Sequence, residues 1–210
     1  MHIWLATGNV HKKKELDAIL RNSIQKNTSE AKITDFELKI PKDAGLDFDP
    51  EETGSTFLEN ALIKAEELYK LLKDGSDYVI AEDSGICVDA LNGRPGILSA
   101  RYGGKSLGAA EKNAMLLEEI GDNPLRSARF VCAMVLYCGP NRFFAVQECL
   151  EGELVKNKEA VRGKGGFGYD PVLYISGLGR TVAELTAEEK NSLSHRAKAG
   201  RTIGRILCSI

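Results

Sequence analysis

The sequence lacks the features that mark several large classes of protein. Only five of its 210 residues are cysteines, and none of them forms a Cys-x-x-Cys pair, so neither a disulfide framework nor a zinc motif is indicated. No apolar run approaches the ~18 residues of a membrane-spanning helix. The apolar stretch near the amino terminus, residues 3–6, is too short for a signal peptide. We therefore expect a cytoplasmic protein with no membrane partner.

Positive charge is not in excess either. The chain has 28 Lys and Arg residues against 30 Asp and Glu residues, which gives a net charge of −2 at pH 7. Because proteins that bind nucleic acids usually carry a strongly basic surface, no nucleic-acid partner is expected. Hydrophobic residues make up 43% of the chain and charged residues 28%, which is typical of a globular protein. At roughly 150 residues per domain, the length predicts a single domain over residues 1–210.

Strand and helix patterns alternate along the chain. Hydrophobic periodicity predicts short strands at residues 3–6, 32–40, 78–81 and 172–175, and helices at residues 10–20, 56–74, 109–120 and from 194 onward. Thr56 and Glu59 form a predicted capping box at the start of the second helix. Long strands at 128–138 and 142–155 flank a Gly-Pro-Asn turn, which is typical of a hairpin. The hairpin makes the sheet mixed rather than purely parallel, and the predicted fold class is α/β.

The first candidate site lies between the first strand and the first helix. Residues 7–12 read Thr-Gly-Asn-Val-His-Lys, and the free amide groups at a helix N-terminus attract anions. Lys12 would add a positive charge for a phosphate group, although the spacing is not that of a P-loop. The alternative is an ordinary N-capped helix whose lysines lie in solvent.

Two acidic pairs form the second candidate site. Glu51 and Glu52 precede Thr-Gly, and Glu82 and Asp83 precede Ser-Gly at the predicted carboxyl end of a buried strand, where open α/β sheets bind ligands. Neighbouring side chains of a strand face opposite ways, so Glu82 and Asp83 should not line the same cleft. Such carboxylates suit Mg²⁺, which is usually held by one or two of them together with substrate phosphates. The alternative is a pair of acidic turns.

A glycine-rich loop is the third candidate site. Residues 163–168 match Gly-x-Gly-x-x-Gly, but a strand follows them instead of a helix, which excludes a dinucleotide-binding motif. Phe167 or Tyr169 in this loop could stack on a nucleobase. The alternative is a mobile surface turn.

The fourth candidate site combines Lys190 with the start of the last helix. His195 and Arg196 open that helix, and the guanidinium group of Arg196 offers a rigid fork of donors for a phosphate or a base carbonyl. The alternative is a helix cap at Ser194 surrounded by ordinary surface charges.

Five blocks in order, spread over nearly the whole chain, together resemble the inosine triphosphate pyrophosphatase family. The blocks are ATGNVHKKKEL, EETGSTFLENALIKA, AEDSGICVDALNGRPGILSARYGG, GKGGFGYDPVLY and AELTAEEKNSLSHRAKA. The resemblance implies an elongated mixed β-sheet flanked by helices, with two lobes and a central substrate cleft, in a protein that is usually a homodimer. It also implies Mg²⁺-dependent hydrolysis of ITP, dITP and XTP to the nucleoside monophosphate and pyrophosphate, which cleanses the nucleotide pool.

The resemblance further implies roles for individual residues. Asp83 is the expected proton acceptor and a Mg²⁺ ligand, with Glu52 and Glu51 as its metal partners. The expected substrate-binding residues are Thr7, Gly8, Asn9, Val10, His11, Lys12, Lys64, Ser84, Phe167, Gly168, Tyr169, Asp170, Lys190, His195 and Arg196. Arg196 or His195 would donate a hydrogen bond to the group at purine C6. This contact would favour hypoxanthine and xanthine, which carry a carbonyl there, over adenine, which carries an amino group.

Two features depart from the common family pattern, and two other functions remain open. His11 stands where many members carry glycine, and the segment 22–50 is longer than in the commonest bacterial form, so we expect a surface elaboration there. A nucleotide-binding regulator without turnover is one alternative, although the pair Glu52 and Asp83 argues against it. A related pyrophosphatase acting on dTTP or UTP is the other, although the motifs match it poorly.

Overall fold

The computed structural model describes residues 2–26, 36–72, 78–104 and 106–210. Within these ranges lie the strands β1 (His2–Leu5), β2 (Glu37–Lys39), β3 (Tyr78–Val88), β4 (Ser127–Gly139), β5 (Arg142–Leu154), β6 (Leu173–Ile175) and β7 (Arg180–Thr181). The helices are α1 (Val10–Lys26), α2 (Phe57–Leu72), α3 (Ala109–Ile120), α4 (Ala187–Leu193) and α5 (His195–Ser209). No helix in these ranges is both long enough and apolar enough to cross a membrane.

The strands form one mixed sheet in the order β2-β1-β3-β4-β5-β6-β7. Strand β1 pairs in parallel with β2 and β3, whereas β6 pairs antiparallel with β5 and β7. The predicted α/β class with a mixed sheet is therefore confirmed.

The chain divides into two compact units. The first unit comprises Met1–Asp83, Cys132–Glu148 and Arg196–Ile210, and the second comprises Ser84–Val131 and Cys149–His195. The prediction of a single domain and that of a central cleft both stay predictions.

The first unit covers both faces of its part of the sheet with helices. Ile3 of β1 packs in a cluster with apolar residues of α1 and α5, whereas its neighbour Trp4 packs with residues of α2. Alternate residues of a strand point to opposite faces, so α1 and α5 cover one face and α2 covers the other. Gly200 and Gly204 allow α5 to approach α1 closely, since a Cβ atom at Gly200 would lie 2.8 Å from the side chain of Ile19.

The second unit has a separate apolar core. Leu116, Leu117 and Ile120 of α3 pack there with residues of the second halves of β3 and β5 and with the chain segments at 169–173 and 182–185. This core supports the glycine-rich loop, because the buried Tyr169 at the end of that loop belongs to it.

Several element boundaries differ from the prediction. Helix α1 continues to Lys26 instead of ending near residue 20, since Ser23 and Ile24 remain buried on the face that packs against α5. Helix α4 was not predicted; it begins after Thr186, whose side chain accepts a hydrogen bond from the amide of Glu189. At the start of α2, Thr56 caps the amide of Glu59 as predicted, and the carboxylate of Glu59 accepts hydrogen bonds from the amide and hydroxyl of Ser55 as well as from the amide of Thr56.

The segment 22–50 is only partly described. In its described part, Phe36, Leu38 and Ile40 are buried in the core of the first unit, whereas residues 42–45, 47 and 49 are exposed, so the expectation of a surface elaboration stays a prediction. Residues 32–35 of the predicted strand, and the predicted end of the second helix at residue 75, lie outside the described residues.

Candidate active site

Strand β3 carries the central acidic pair. The prediction that Glu82 and Asp83 lie at the carboxyl end of a strand is wrong, since β3 continues to Val88 and places them in its middle. The strand continues because Gly85 allows close packing: a Cβ atom there would lie 2.4 Å from Ser99 Oγ and 2.5 Å from the carbonyl oxygen of Gly96. Ser99 Oγ also accepts a hydrogen bond from the amide of Ile86 at 2.9 Å.

Asp83 faces helix α2. Its Oδ2 accepts a hydrogen bond from Asn60 Nδ2 at 3.1 Å, and its Oδ1 lies 3.4 Å from Lys64 Nζ. The same ammonium group lies 2.9 Å from Glu52 Oε1, in the loop before α2. Asn60 and Lys64 are four residues apart and so share one face of the helix. The fold of the first unit thus brings together Glu52, Lys64 and Asp83.

This cluster fits a magnesium ion by the chemistry of its donors. The described residues contain no group of three or more His, Cys, Asp or Glu side chains placed to hold a metal. Mg²⁺ does not need one, because it typically takes one or two protein carboxylates and completes its shell with water and phosphate oxygens. Glu52 and Asp83, which both contact the ammonium group of Lys64, are two carboxylates that could bind the ion together. Glu51 is exposed.

Glu82 faces the other side of the sheet, as strand alternation predicts. Its carboxylate accepts hydrogen bonds from Arg196 Nε at 2.7 Å and Nη2 at 2.9 Å, and lies 3.0 Å from Lys12 Nζ. Arg196 Nη1 in turn donates to Glu15 at 2.8 Å. Burial by itself raises the pKa of Glu82, but the charges and hydrogen bonds of Arg196 and Lys12 outweigh it and hold this pKa well below its usual range. The thiol of Cys132 also contacts Glu82, and burial raises its pKa well above the usual value.

The loop at residues 7–12 caps helix α1. Asn9 Oδ1 accepts hydrogen bonds from the amides of His11 at 2.9 Å and Lys12 at 3.3 Å, while the amide of Asn9 donates to Thr7 Oγ1 at 3.1 Å. These contacts are those of an N-capped helix, so two of the amides expected to attract an anion already have a partner. Gly8, Val10 and His11 are exposed.

The second unit holds the glycine-rich loop. Asp170 organises this loop: its Oδ2 accepts from the amide of Phe167 at 2.7 Å and from Lys190 Nζ at 2.9 Å. The same ammonium group lies 4.6 Å from the centre of the half-exposed Phe167 ring, in a cation–π contact. Gly166 is required here, because its φ is +73° and a Cβ atom would lie 1.9 Å from the Asp170 carboxylate. The structure therefore brings together Phe167, Asp170 and Lys190.

The remaining predicted residues of the second unit are Ser84, Gly168, Tyr169 and His195. Tyr169 is buried and its hydroxyl donates to the carbonyl oxygen of Ser99 at 2.9 Å; burial raises its pKa to about 12. His195 is buried and stacks on Phe130, with ring centres 5.0 Å apart. Ser84 is half-buried in β3, and Gly168 is half-buried with its carbonyl oxygen accepting from the side chain of Asn113.

Two side chains that contact predicted site residues, Asn60 and Glu15, were missed from the sequence. Asn60 is fully buried and links Asp83 to the amide of Gly54, while Glu15 and Glu82 hold Arg196. A signal existed for Asn60, which is a polar residue on the apolar stripe of α2, one turn before Lys64. Glu15 carries a weaker signal, since it lies one helical turn after Lys12.

Comparisons with known proteins agree on one family. The sequence profile described as the Ham1 family matches residues 3–205. A dITP/XTP pyrophosphatase of Treponema denticola is 47% identical over 210 residues, covering 99% of this chain and 98% of the relative, and one of Geobacillus kaustophilus is 50% identical over 72% of each chain. The solved structure of a HAM1 protein from Coxiella burnetii superposes over 100% of both chains with a TM-score of 0.85 at 36% identity.

Proposed function

Because this chain belongs to the Ham1 family, we propose that it hydrolyses the non-standard purine nucleotides ITP, dITP and XTP to the nucleoside monophosphate and pyrophosphate, with Mg²⁺ as cofactor. The observation that carries the proposal is the cluster of Glu52, Lys64 and Asp83, in which two carboxylates share one ammonium group. Removal of these nucleotides from the cellular pool before polymerases use them would be the biological role.

Glu52 and Asp83, with Glu51 beside them in the sequence, would hold the magnesium ion. When bound, Mg²⁺ neutralises phosphate oxygens and so makes the phosphorus more open to attack. Asn60 fixes the orientation of Asp83 through Oδ2, which leaves Oδ1 directed towards Lys64.

Asp83 is the group we assign as general base. A water molecule attacks the α-phosphorus, its proton passes to an oxygen of Asp83, and the bond from the α-phosphorus to the bridging oxygen breaks, so that pyrophosphate leaves. Lys12 and Lys64 stabilise the negative charge that develops on the leaving pyrophosphate. Residues 7–12 bind the phosphates through the exposed part of their loop.

We assign the purine base to the second unit's loop and its neighbours. The half-exposed ring of Phe167 offers a stacking face, and stacking on one aromatic ring contributes about 1–3 kcal/mol per base. Gly168, Tyr169, Asp170 and Lys190 shape that loop, and Ser84 and His195 complete the assigned set. A donor from His195 or Arg196 at C6 selects a carbonyl over an amino group.

A nucleotide panel tests this proposal. Purified protein is incubated with Mg²⁺ and each of ITP, dITP, XTP, ATP, GTP, dTTP and UTP, and pyrophosphate is resolved from orthophosphate. We expect pyrophosphate from the first three nucleotides and loss of activity on chelation of the metal. Orthophosphate with a nucleoside diphosphate would contradict the cut between the α and β phosphates, and binding without turnover would favour a regulator. Preferential hydrolysis of dTTP or UTP would favour the related pyrophosphatases.

The assembly and surroundings of the enzyme belong to the same proposal. We infer a homodimer in the cytoplasm with no nucleic-acid or membrane partner, on the family resemblance and the balanced charge of the chain. Light scattering of the purified protein tests the dimer: a mass near twice 22.9 kDa is expected, and the monomer mass would contradict it.

A further inference from the structure

Glu82, a carboxylate outside the assigned catalytic set, joins Lys12 to Arg196 within the first unit. Its side chain is only 2% exposed and accepts two hydrogen bonds from the guanidinium group of Arg196. Glu82 Oε1, which accepts one of them, also lies 3.0 Å from Lys12 Nζ. With Glu15 on the far side of Arg196, the cluster contains two cations and two carboxylates.

Lys12 lies at the border of this buried cluster. The side chain of Lys12 is 20% exposed, ten times the value for Glu82. An ammonium group has three N–H donors, and the contact with Glu82 engages one of them. Lys12 can therefore donate to a phosphate oxygen while it remains bound to Glu82.

The contact also affects how readily Lys12 binds a phosphate. A lysine side chain has many rotamers, and fixing it on binding costs conformational entropy. Glu82 restricts Lys12 before a substrate arrives, and the paired hydrogen bonds from Arg196 fix the plane of the Glu82 carboxylate.

We propose that Glu82 is a positioning residue for the phosphate-binding lysine: held by Arg196, it places the ammonium group of Lys12 where the triphosphate binds. The assignment rests on the proposed function, since Lys12 is the phosphate contact that it serves. It gives β3 two roles, with Asp83 acting on the reacting atoms and Glu82 acting through Lys12.

A double-mutant cycle with Lys12→Met and Glu82→Gln tests this role. With ITP and Mg²⁺, Glu82→Gln should lower kcat/KM roughly 10- to 100-fold in the otherwise unchanged protein, the range for a lost hydrogen bond to a charged group. In the Lys12→Met background, Glu82→Gln should lower kcat/KM by less than about 3-fold, because the effects of substitutions at residues that act through one another are not additive. An equal factor in both backgrounds would show a purely structural role and overturn the proposal.

Glu15→Gln is the matched control. Glu15 accepts from the same guanidinium group as Glu82 but is bound to its other side, at Nη1. We expect its effect on kcat/KM to be the same factor with and without Lys12. Coupling to Lys12 as strong as that of Glu82 would show that the cluster as a whole positions the lysine, and would overturn the assignment to Glu82.

Two further measurements keep the outcome decisive. If Glu82→Gln does not fold, Glu82→Asp replaces it in the cycle, because it keeps the negative charge between the two cations and shortens by one methylene group the side chain that contacts Lys12. The affinity for inorganic tripolyphosphate, measured by calorimetry in the presence of Mg²⁺, gives the cycle without turnover. If the unchanged protein releases no pyrophosphate from ITP, the proposed function fails. The tripolyphosphate measurements then still decide whether Glu82 acts through Lys12. If the effects of the two substitutions on the binding free energy are additive, the positioning role of Glu82 is overturned.

Discussion

At the scale of single residues, the pair Glu82 and Asp83 shows how adjacent carboxylates come to differ. Strand alternation directs Asp83 to the amide of Asn60 and to a lysine that it shares with Glu52, whereas Glu82 meets the full fork of a guanidinium group. An oxygen held by two cations is a poor acceptor for a proton, so the base role falls to Asp83. The sequence alone predicts the opposite directions of the two side chains, but not these partners, because residues 60 and 196 reach β3 only through tertiary packing.

The base role of Asp83 is tested by Asp83→Asn. This change removes the proton acceptor while keeping the size of the side chain, and kcat should fall by at least ~10²-fold, as for a positioned general base. The melting temperature, measured by circular dichroism, should change little, because asparagine can still accept from Asn60. An active Asp83→Asn protein would contradict the assignment and direct attention to Glu82.

The choice of base is tested at Arg196. Replacing it with alanine leaves Glu82 and Glu15 without their shared cation, and breaking a buried ion pair in this way costs about 3–5 kcal/mol. Arg196→Lys keeps the charge but loses the fork of donors. If Arg196 donates to C6, both variants should lose activity on ITP much more than on ATP.

The ratio of kcat/KM for ITP to that for ATP is the quantity to measure for Arg196. It does not depend on the fraction of folded enzyme, so partial unfolding of Arg196→Ala does not obscure it. We expect the ratio to narrow by roughly tenfold or more, the equivalent of one unpaired buried donor. An unchanged ratio would show that Arg196 serves the ion-pair cluster alone.

At the scale of elements, periodicity predicts those elements whose buried face is mostly apolar. Helix α3 has the predicted bounds of residues 109–120, and the hairpin of β4 and β5 is within one residue of the prediction at each end. Prediction fails where polar residues continue an element, as in β3, where Glu82 and Asp83 are buried because partners from other elements neutralise them. The predicted end of helix α1 came too early for a related reason. The polar residue Ser23 is buried within the helix, where its hydroxyl donates a hydrogen bond to the carbonyl oxygen of Arg201.

The close packing of β3 predicts a large effect of Gly85→Ala. The added methyl group would overlap Ser99 Oγ and the carbonyl oxygen of Gly96, and overpacking of this kind typically costs about 1–3 kcal/mol. For a chain of this size, each 1 kcal/mol corresponds to roughly 2–4 °C in melting temperature. Gly177→Ala is the matched control, because a Cβ atom there would meet nothing within 4 Å. Equal melting temperatures for both variants would contradict the close contact.

At the scale of the whole molecule, the candidate residues divide between two compact units with separate cores. The first unit holds Glu52, Lys64, Asp83, Lys12 and Arg196, and the second holds Phe167, Asp170, Lys190 and His195. These residues were predicted from five sequence blocks taken together, through the family resemblance. No single block was sufficient, because none distinguishes a phosphate loop from an ordinary helix cap. The partners Asn60 and Glu15 could not be predicted in this way, since their roles depend on which helix packs on which face of the sheet.

Stability towards acid is also a property of the whole molecule. Hydrogen bonds to the charged form lower the pKa values of several carboxyl groups in both units, namely Asp43, Glu59, Asp89, Glu119 and Glu189. A group whose pKa is lower in the folded state contributes stability above its ordinary pKa, and that contribution is lost as the pH falls through the folded value. The ordinary values are 3.8 for aspartate and 4.5 for glutamate. The melting temperature should therefore be nearly constant from pH 7 to about 5 and should fall below that.

Asp89→Asn isolates one of these contributions. Asp89 accepts from Ser127 Oγ at 2.7 Å and from Arg129 Nη2 at 2.8 Å, and the hydrogen bond from Ser127 is the largest cause of its lowered pKa. At pH 7 the variant should melt below the unchanged protein, because the charged acceptor is lost. As the pH falls below 3.8 towards the lower pKa of Asp89 in the folded state, the stability contributed by its charge is progressively lost, so the two melting curves should approach each other. Circular dichroism between pH 3 and 7 measures this difference, and a gap that stays constant over that range would show that the charge of Asp89 does not stabilise the fold.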